Sequence, residues 1–285
     1  MSRVLPPWII RDQAFNWGQK TYVMGILNVT PDSFSDGGEF DTLAAAIAQA
    51  TAMVQAGADL IDVGGQSTRP QAETISLQSE LDRVIPVVQA LRQTFNIPIS
   101  VDTTRAAVAK AAIAAGADMI NDVSGATYDP EMLPVAASLR VPIILMHLRG
   151  TPQTMQQLTQ YDDVVEDVIE FLQERVAAAI AAGVEAHHIA VDPGIGFAKT
   201  YEQNLKLLHY LRDFHTLNCP ILVGASRKSF IGHVLNQPDP KQRVWGTAAA
   251  CAAAIAGQCD IVRVHDVREM VDVCRVSDAI WRSHS

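Results

Sequence analysis

Ala56-Gly-Ala-Asp-Leu-Ile-Asp-Val63 returns as Ala115-Gly-Ala-Asp-Met-Ile-Asn-Asp122 and, more loosely, as Gly257-Gln-Cys-Asp-Ile-Val-Arg-Val264. Each copy reads as the end of an Ala-rich helix, a glycine suited to a helix C-cap, an aspartate, and a short apolar strand. The repeated glycines and aspartates are therefore read as structural. Outward from these copies the same unit runs the length of the chain. Strands are predicted at Tyr22–Leu27, Leu60–Val63, Ile97–Val101, Met119–Val123, Pro142–Met146, Ile189–Val191, Ile221–Val223 and Ile261–Val264. Segments with apolar residues at three- and four-residue spacing separate them: Thr42–Ala56, Ser76–Phe95, Arg105–Ala115, Pro130–Leu139, Tyr161–Ala182, Tyr201–Leu211 and Arg243–Ala256. Val267–Arg282 closes the chain. Continuous apolar strands alternating with helices specify a parallel sheet covered on its outer face. Eight units without a polar linker point to an α/β fold, a closed (β/α)8 TIM barrel over 1–285 as a single domain, rather than two doubly wound domains. Residues before Tyr22 are expected to form a short N-terminal cap over the barrel's bottom, with Trp8 and Trp17 as packing residues.

Composition narrows the function. Hydrophobic residues make up 48% of the 285 and charged residues 19%, enough to bury a sizeable core. The net charge is -9, without basic runs, which argues against nucleic acid as a partner, since phosphate contacts need clustered Lys and Arg. No apolar run approaches the roughly 20 residues of a membrane span. Met1 to Ile10 has no signal-peptide core, and Cys219, Cys251, Cys259 and Cys274 form no CxxC pair. A cytoplasmic protein with reduced core thiols is expected.

Barrel enzymes carry their sites at the C-terminal ends of the strands. Here those ends are unusually polar: Asn28 to Ser35, Gly64 to Pro70, Asp102-Thr-Thr104, Asn121-Asp122, Met146-His147, Asp192-Pro-Gly194, Gly224 to Lys228, and Arg263 with His265. Half-buried charges are costly alone, so a ring of them implies a ligand. Asp192 can grip a 2-amino-pyrimidinone edge through two oxygens, as carboxylates grip guanidinium groups. Asn121 offers a donor and acceptors, and Lys228 can donate to a ring carbonyl. Arg69, Arg263 and His265 form a separate cationic set fit for phosphates. Asn28, with Asp32 nearby, offers hard oxygens of the kind Mg²⁺ prefers when a phosphate completes its shell.

These motifs resemble those of the dihydropteroate synthases. Met24-Gly-Ile-Leu-Asn-Val-Thr-Pro-Asp-Ser-Phe-Ser-Asp-Gly-Gly38 is similar to the first signature of that family and Asp62-Val-Gly-Gly-Gln-Ser-Thr-Arg-Pro70 to the second. Ile99 to Thr103, Ile120 to Gly125, Met146 to Met155, Val191 to Phe197, Val223 to Gly232 and Val262 to Val267 follow in family order. The resemblance implies the same barrel and the condensation of 6-hydroxymethyl-7,8-dihydropterin pyrophosphate with p-aminobenzoate. Asp102, Asn121, Met146, Asp192, Lys228 and Arg263 would hold the pterin. Asn28, Arg69, Arg263 and His265 would meet pyrophosphate and Mg²⁺, with Asn28 toward the metal. Phe34, Thr68, Arg69, Pro70, Phe197, Lys228 and Ser229 would form the p-aminobenzoate site, which sulfonamides mimic. Ser229 falls where the helix after strand seven should begin, so backbone N–H groups there would meet the benzoate carboxylate. Family members are commonly homodimers.

Three positions depart from the family pattern: Gln66 for Glu, Gln71 for Gly and Ala198 for Gly. They imply altered loop dynamics, not lost activity, since Gln71 gives up glycine's backbone freedom. The chemistry expected is SN1-like, with Asp102, Arg69, Lys228, Arg263 and His265 as the catalytic set and Mg²⁺ on the leaving group. No nucleophilic side chain is needed, which sets aside Ser33, Ser35 and His147. Two rivals share the fold. A pterin-binding methyltransferase barrel has no need of Ser67 to Pro70 paired with Ser226 to Ser229. A non-catalytic pterin-binding homologue would be expected to lose part of the set Asn28, Arg69, Arg263 and His265. Sulfonamide binding should fail for both.

Overall fold

A computed structural model describes residues 5–30, 39–68 and 72–282, without the side chains of 39–42. Its strands are β1 (Trp8–Ile10), β2 (Gln13–Phe15), β3 (Tyr22–Asn28), β4 (Leu60–Gly64), β5 (Ile99–Asp102), β6 (Met119–Asp122), β7 (Ile143–Met146), β8 (Ile189–Asp192), β9 (Leu222–Val223) and β10 (Ile261–Val264). The helices are α1 (Glu39–Ala56), α2 (Leu77–Thr94), α3 (Ala106–Ala115), α4 (Met132–Leu139), α5 (Val164–Ala181), α6 (Tyr201–His209), α7 (Ser229–Leu235), α8 (Val244–Ala256) and α9 (Val267–Trp281). From β3 onward the strands pair in parallel in the order β8-β7-β6-β5-β4-β3-β10-β9. A parallel bridge between Val191 and Ile221 joins the two ends, so the sheet closes into the (β/α)8 barrel. The predicted strands fall where expected, the seventh reduced to Leu222–Val223. Helix α7 is a short element outside the predicted helical segments; it begins at Ser229, where a helix start was expected.

Strand alternation divides the barrel into layers, because successive side chains point to opposite faces. Val23, Leu27, Ile61, Val63, Val101, Ile120, Leu145, Val191, Val223 and Val262 pack outward, in one core with the helices. Tyr22, Met24, Leu60, Met119, Ile144, Ala190, Leu222 and Ile261 pack inward as an apolar floor. The β1–β2 hairpin covers that floor from below: Trp8, Ile10, Phe15 and Trp17 join the same cluster. Trp8 and Trp17 meet edge to face with centroids 5.0 Å apart. The Trp8 indole N–H also donates to the His187 carbonyl, which ties the cap to the segment entering β8. Two residues further along the strands, the inward side chains become Asp62, Asp102, Asn121, Met146, Asp192 and Arg263. The same period that seals the bottom therefore builds a polar mouth.

The repeated aspartates have one structural task. Asp59 accepts from the Val23 N–H, Asp118 from the Ile99 N–H and Asp260 from the Ile221 N–H, each at 2.8 Å. Each carboxylate satisfies a backbone donor at the lower edge of a neighbouring strand. Gly57 and Gly116 end their helices at φ 98° and 117°. In the third copy the left-handed position moves to Gln258, at φ 62°, and Gly257 stays right-handed at φ -76°. The looser sequence match has a backbone consequence.

Asp118 also pairs with Arg92 at 2.6 Å and Arg11 at 2.7 Å. Asp118→Ala orphans a backbone donor and two cations, so calorimetry should show a loss of about 2–3 kcal/mol, a Tm drop on the order of 5 °C. The exposed Asp272→Ala should change stability by less than about 0.5 kcal/mol.

Candidate active site

The mouth is organised by Arg263, the inward residue of β10. Its Nε donates to Asp62 Oδ2 at 2.6 Å, and its terminal amino group donates to Asp102 Oδ2 at 2.8 Å. The Asn121 side-chain N–H₂ donates to that same oxygen of Asp62 at 2.9 Å. Four strands, β4, β5, β6 and β10, are thereby linked through a single guanidinium and two carboxylates. Gly64 ends β4 beside them; a Cβ there would sit 3.5 Å from Asp102 Oδ2 and 3.7 Å from Asn28 Oδ1. The Asp102 carboxylate and the Asn28 amide thus flank one bare stretch of backbone.

Burial raises the Asp102 carboxyl to about 7, against the pull of Arg263 and with the help of the nearby Asp62 charge. For Arg263 burial pulls downward, but the Asp62 and Asp102 charges outweigh it and hold the guanidinium above its ordinary value. Two carboxylates on one guanidinium leave the group net negative. Across the mouth, Asp192 Oδ1 accepts from the Gly194 N–H at 2.7 Å. Its pKa is raised by burial and drawn back by Lys228.

Lys228 stands at the N-cap of α7. Its ammonium donates to the Ile195 carbonyl and lies 4.3 Å from the centre of the Phe197 ring. Burial lowers it to about 7, opposed by Asp192 and reinforced by Arg263. The preceding cation takes another path: Arg227 Nε donates to Asp266 at 3.0 Å, with a second, shorter contact beside it. Of two adjacent basic residues, only Lys228 therefore reaches the mouth. His265 follows β10, its Nδ1 3.0 Å from Ser226 Oγ, which also accepts from the His265 backbone N–H.

The structure brings together Asn28, Asp102, Asn121, Met146, Asp192, Phe197, Lys228, Arg263 and His265 around the upper end of the barrel. Thr68 is half-buried in the segment after β4, and Ser229 is exposed at the first position of α7. Asp32, Phe34, Arg69, Pro70 and Gln71 lie outside the described residues. Two polar residues from the strand ends turn away from the mouth. Asp122 caps Ser124 through its backbone and hydroxyl at 2.7 and 2.6 Å, and His147 is buried against Phe171. Conversely, Asp62 and Lys199 belong to the site's framework and are absent from the sequence expectations. Strand parity carried the signal for Asp62, two residues beyond inward-facing Leu60. The same parity sends Asp122 and His147 outward, next to inward Asn121 and Met146. Of the departures from the family pattern, Gln66 has a buried Oε1 with no partner among the described residues, and Ala198 is buried at φ 50°.

Asn28 presents a neutral oxygen at the mouth. At the lower end Glu185, His187 and His188 place ligand atoms within 4.8 Å of one another, the one such group of His, Cys or acidic residues among the described residues.

The pterin-binding enzyme family matches residues 24–265. A dihydropteroate synthase of Synechocystis sp. is 61% identical over 277 residues, covering 97% of this chain and 96% of its own. The dihydropteroate synthase of Yersinia pestis, solved with a sulfonamide drug, superposes with a TM-score of 0.90 at 44% identity, covering 96% of this chain and 99% of that one. That of Xanthomonas albilineans, solved with 7,8-dihydropteroate, gives 0.87 at 41% identity over 96% and 98% of the two chains. With this identity over nearly the whole of both chains, and the barrel mouth described above, the chain belongs to the dihydropteroate synthase family.

Proposed function

We propose that this chain, acting as a single domain over 1–285, condenses 6-hydroxymethyl-7,8-dihydropterin pyrophosphate with p-aminobenzoate to give 7,8-dihydropteroate and pyrophosphate. The observation that carries this reading is the inward layer of Asp62, Asp102, Asn121, Asp192 and Arg263 directly above an apolar floor, joined by Lys228 from the start of α7. Such a layer suits a flat heterocycle with donors and acceptors around its edge. Asp192 takes the 2-amino-pyrimidinone edge, Asn121 and Lys228 the remaining ring atoms, and Met146 packs beneath. Phe197, Thr68 and Ser229, with Phe34, Arg69 and Pro70, take p-aminobenzoate, and a sulfonamide competes for the same place. Asn28, Arg69, Arg263 and His265 face the diphosphate. Asn28 Oδ1 is a hard neutral oxygen at this rim, which fits an Mg²⁺ whose other ligands come largely from the diphosphate. Bound there, Mg²⁺ would offset charge on the leaving group.

The reaction breaks the bond between the exocyclic methylene carbon and the diphosphate oxygen, and the electron pair leaves with pyrophosphate. The amine nitrogen then forms the new C–N bond and loses one proton. In an SN1-like course the pterin carries positive charge between these events. The Asp102 carboxylate, fixed by Arg263, stabilises that charge without forming a bond. The site's remaining contribution is orientation, which supplies a large part of the rate gain in a bimolecular condensation.

We further propose a cytoplasmic homodimer. Four buried cysteines, none of them in a CxxC pair, suit a reducing compartment, and burial pushes the Cys251 thiol up to about 12. No helix among the described residues is long and apolar enough to cross a membrane. Helices α7, α8 and α9 pack side by side and leave Val234, Trp245, Val276, Ile280 and Trp281 each more than half exposed. Exposed apolar side chains on three adjacent helices fit a second copy of the chain.

Purified protein should release pyrophosphate from the dihydropterin substrate only when p-aminobenzoate is present, with Mg²⁺ dependence and sulfonamide inhibition. Asp102→Asn should cut turnover by about 10²–10³-fold, and near-normal turnover in this variant or in Arg69→Ala would sink the SN1-like course. Asp102 must be ionised and Lys228 protonated, and both titrate near 7. As pH falls Asp102 loses its charge, and as pH rises Lys228 loses its own. A plot of kcat/KM against pH should therefore be a narrow bell centred near neutrality, with the acid limb absent in Asp102→Asn. Light scattering should give a dimer mass, and Trp245→Lys should shift it toward the monomer.

A further inference from the structure

Lys199 is 3% exposed, and burial pulls its amine well below the usual lysine range while the Asp192 charge opposes that pull. Its Nζ lies 2.9 Å from His147 Nδ1, 3.1 Å from the Gly194 carbonyl oxygen and 3.0 Å from that of Phe197. An ammonium has three N–H donors, and here it meets three acceptors. Two of them belong to the turn that runs from Asp192 to Phe197.

That turn is an unfavourable conformation for a free chain. Its backbone is left-handed at Gly194 (φ 69°), at Gly196 (φ 86°) and, just past it, at Ala198 (φ 50°). The geometry leaves no choice at Gly194, where a Cβ would come within 2.0 Å of the His147 carbonyl oxygen, or at Gly196, where it would reach 2.6 Å from Lys228 Cδ. At Ala198 the left-handed backbone is strained, because the Cβ crowds the following carbonyl oxygen. Such a shape persists only where surrounding contacts over-determine it. Asn204 accepts from the Gly196 N–H at 2.5 Å and the Tyr161 hydroxyl donates to the Ala198 carbonyl at 2.9 Å. Lys199 adds two more contacts, to the Gly194 and Phe197 carbonyls.

We infer that Lys199, backed by His147, is a positioning residue for both substrate subsites because it sets the shape of the Asp192–Phe197 turn. The connections are direct. The Gly194 residue that Lys199 holds by its carbonyl also fixes the Asp192 carboxylate through its N–H. The Phe197 residue held by its carbonyl presents its ring to Lys228, and Ile195 between them accepts from Lys228. His147 stays a neutral acceptor: burial, followed by the charges of Lys199 and Arg149, pushes it down to about 2. Its Nδ1 lone pair thus faces the ammonium, and the ring proton is assigned to Nε2. Lys199 sits on the outer side of the turn with His147, so it acts through Asp192, Phe197 and Lys228 without touching substrate.

The inference rests on the proposed condensation for its kinetic reading, while direct pterin binding tests it separately. In Lys199→Met, which keeps the stem and removes the donors, KM for p-aminobenzoate and the Kd for 6-hydroxymethylpterin should both rise. The combined effect expected is a fall of up to about 10²-fold in kcat/KM. Val88→Ala, a core change in α2, should lower Tm comparably while leaving both constants at the wild-type values, which separates positioning from general stability. Lys199→Gln retains two N–H donors on a shorter stem and should fold with intermediate constants, a second reading should Lys199→Met fail to fold. Folded Lys199 variants with wild-type KM and Kd would overturn the inference. Wild-type protein that binds pterin but forms no dihydropteroate would instead overturn the proposed condensation, and the Kd comparison would still decide the role of Lys199.

Discussion

One wall of this barrel's mouth depends on a single half-buried guanidinium, that of Arg263, held between Asp62 and Asp102. Removing three charges from water is costly, and their mutual attraction offsets that cost only with close, well-directed hydrogen bonds. Contacts of 2.6 and 2.8 Å meet that condition. The arrangement also leaves one negative charge more than positive in a place poor in solvent. Burial, with the Asp62 charge beside it, makes Asp102 bind its proton more tightly. A structural brace and an electrostatic device are here the same three residues.

The opposite wall follows a different rule. Beyond Asp192, its polar groups come from a turn and a helix start rather than from strand positions, so backbone shape decides where they point. Left-handed residues at 194, 196 and 198 fold the turn back on itself, bringing the Ile195 carbonyl and the Phe197 ring to the Lys228 ammonium. Arg227, one residue earlier, is taken up by Asp266 and leaves the mouth to Lys228. The rigid wall holds Asp102 and Asn121 on strands; the shaped wall carries Asp192, which ends β8, into contact with a loop.

Much of this was legible in the chain. The Ala-Gly-Ala-Asp copies marked the helix-to-strand junctions, and the eight apolar runs gave the barrel because period-two burial and covered parallel strands leave a distinctive pattern. The ordered motifs gave the family and most of the mouth. Strand parity, applied strictly, also assigns Asp62 inward and Asp122 and His147 outward, since neighbours on a strand cannot face the same way. Helix α7 was harder: seven residues are too few to show a period.

What the sequence by itself determined, then, is the set of local units, their order, and the polar character of the strand ends, since these follow from short-range periodicity and residue chemistry. The tertiary structure alone decided which charges meet. Arg263 finds Asp62 and Asp102 across 201 and 161 positions of chain, Lys199 finds His147 across 52, and Arg227 finds Asp266 across 39. No local pattern encodes such pairings. They arise when the barrel closes and buried charges must find partners within hydrogen-bond reach.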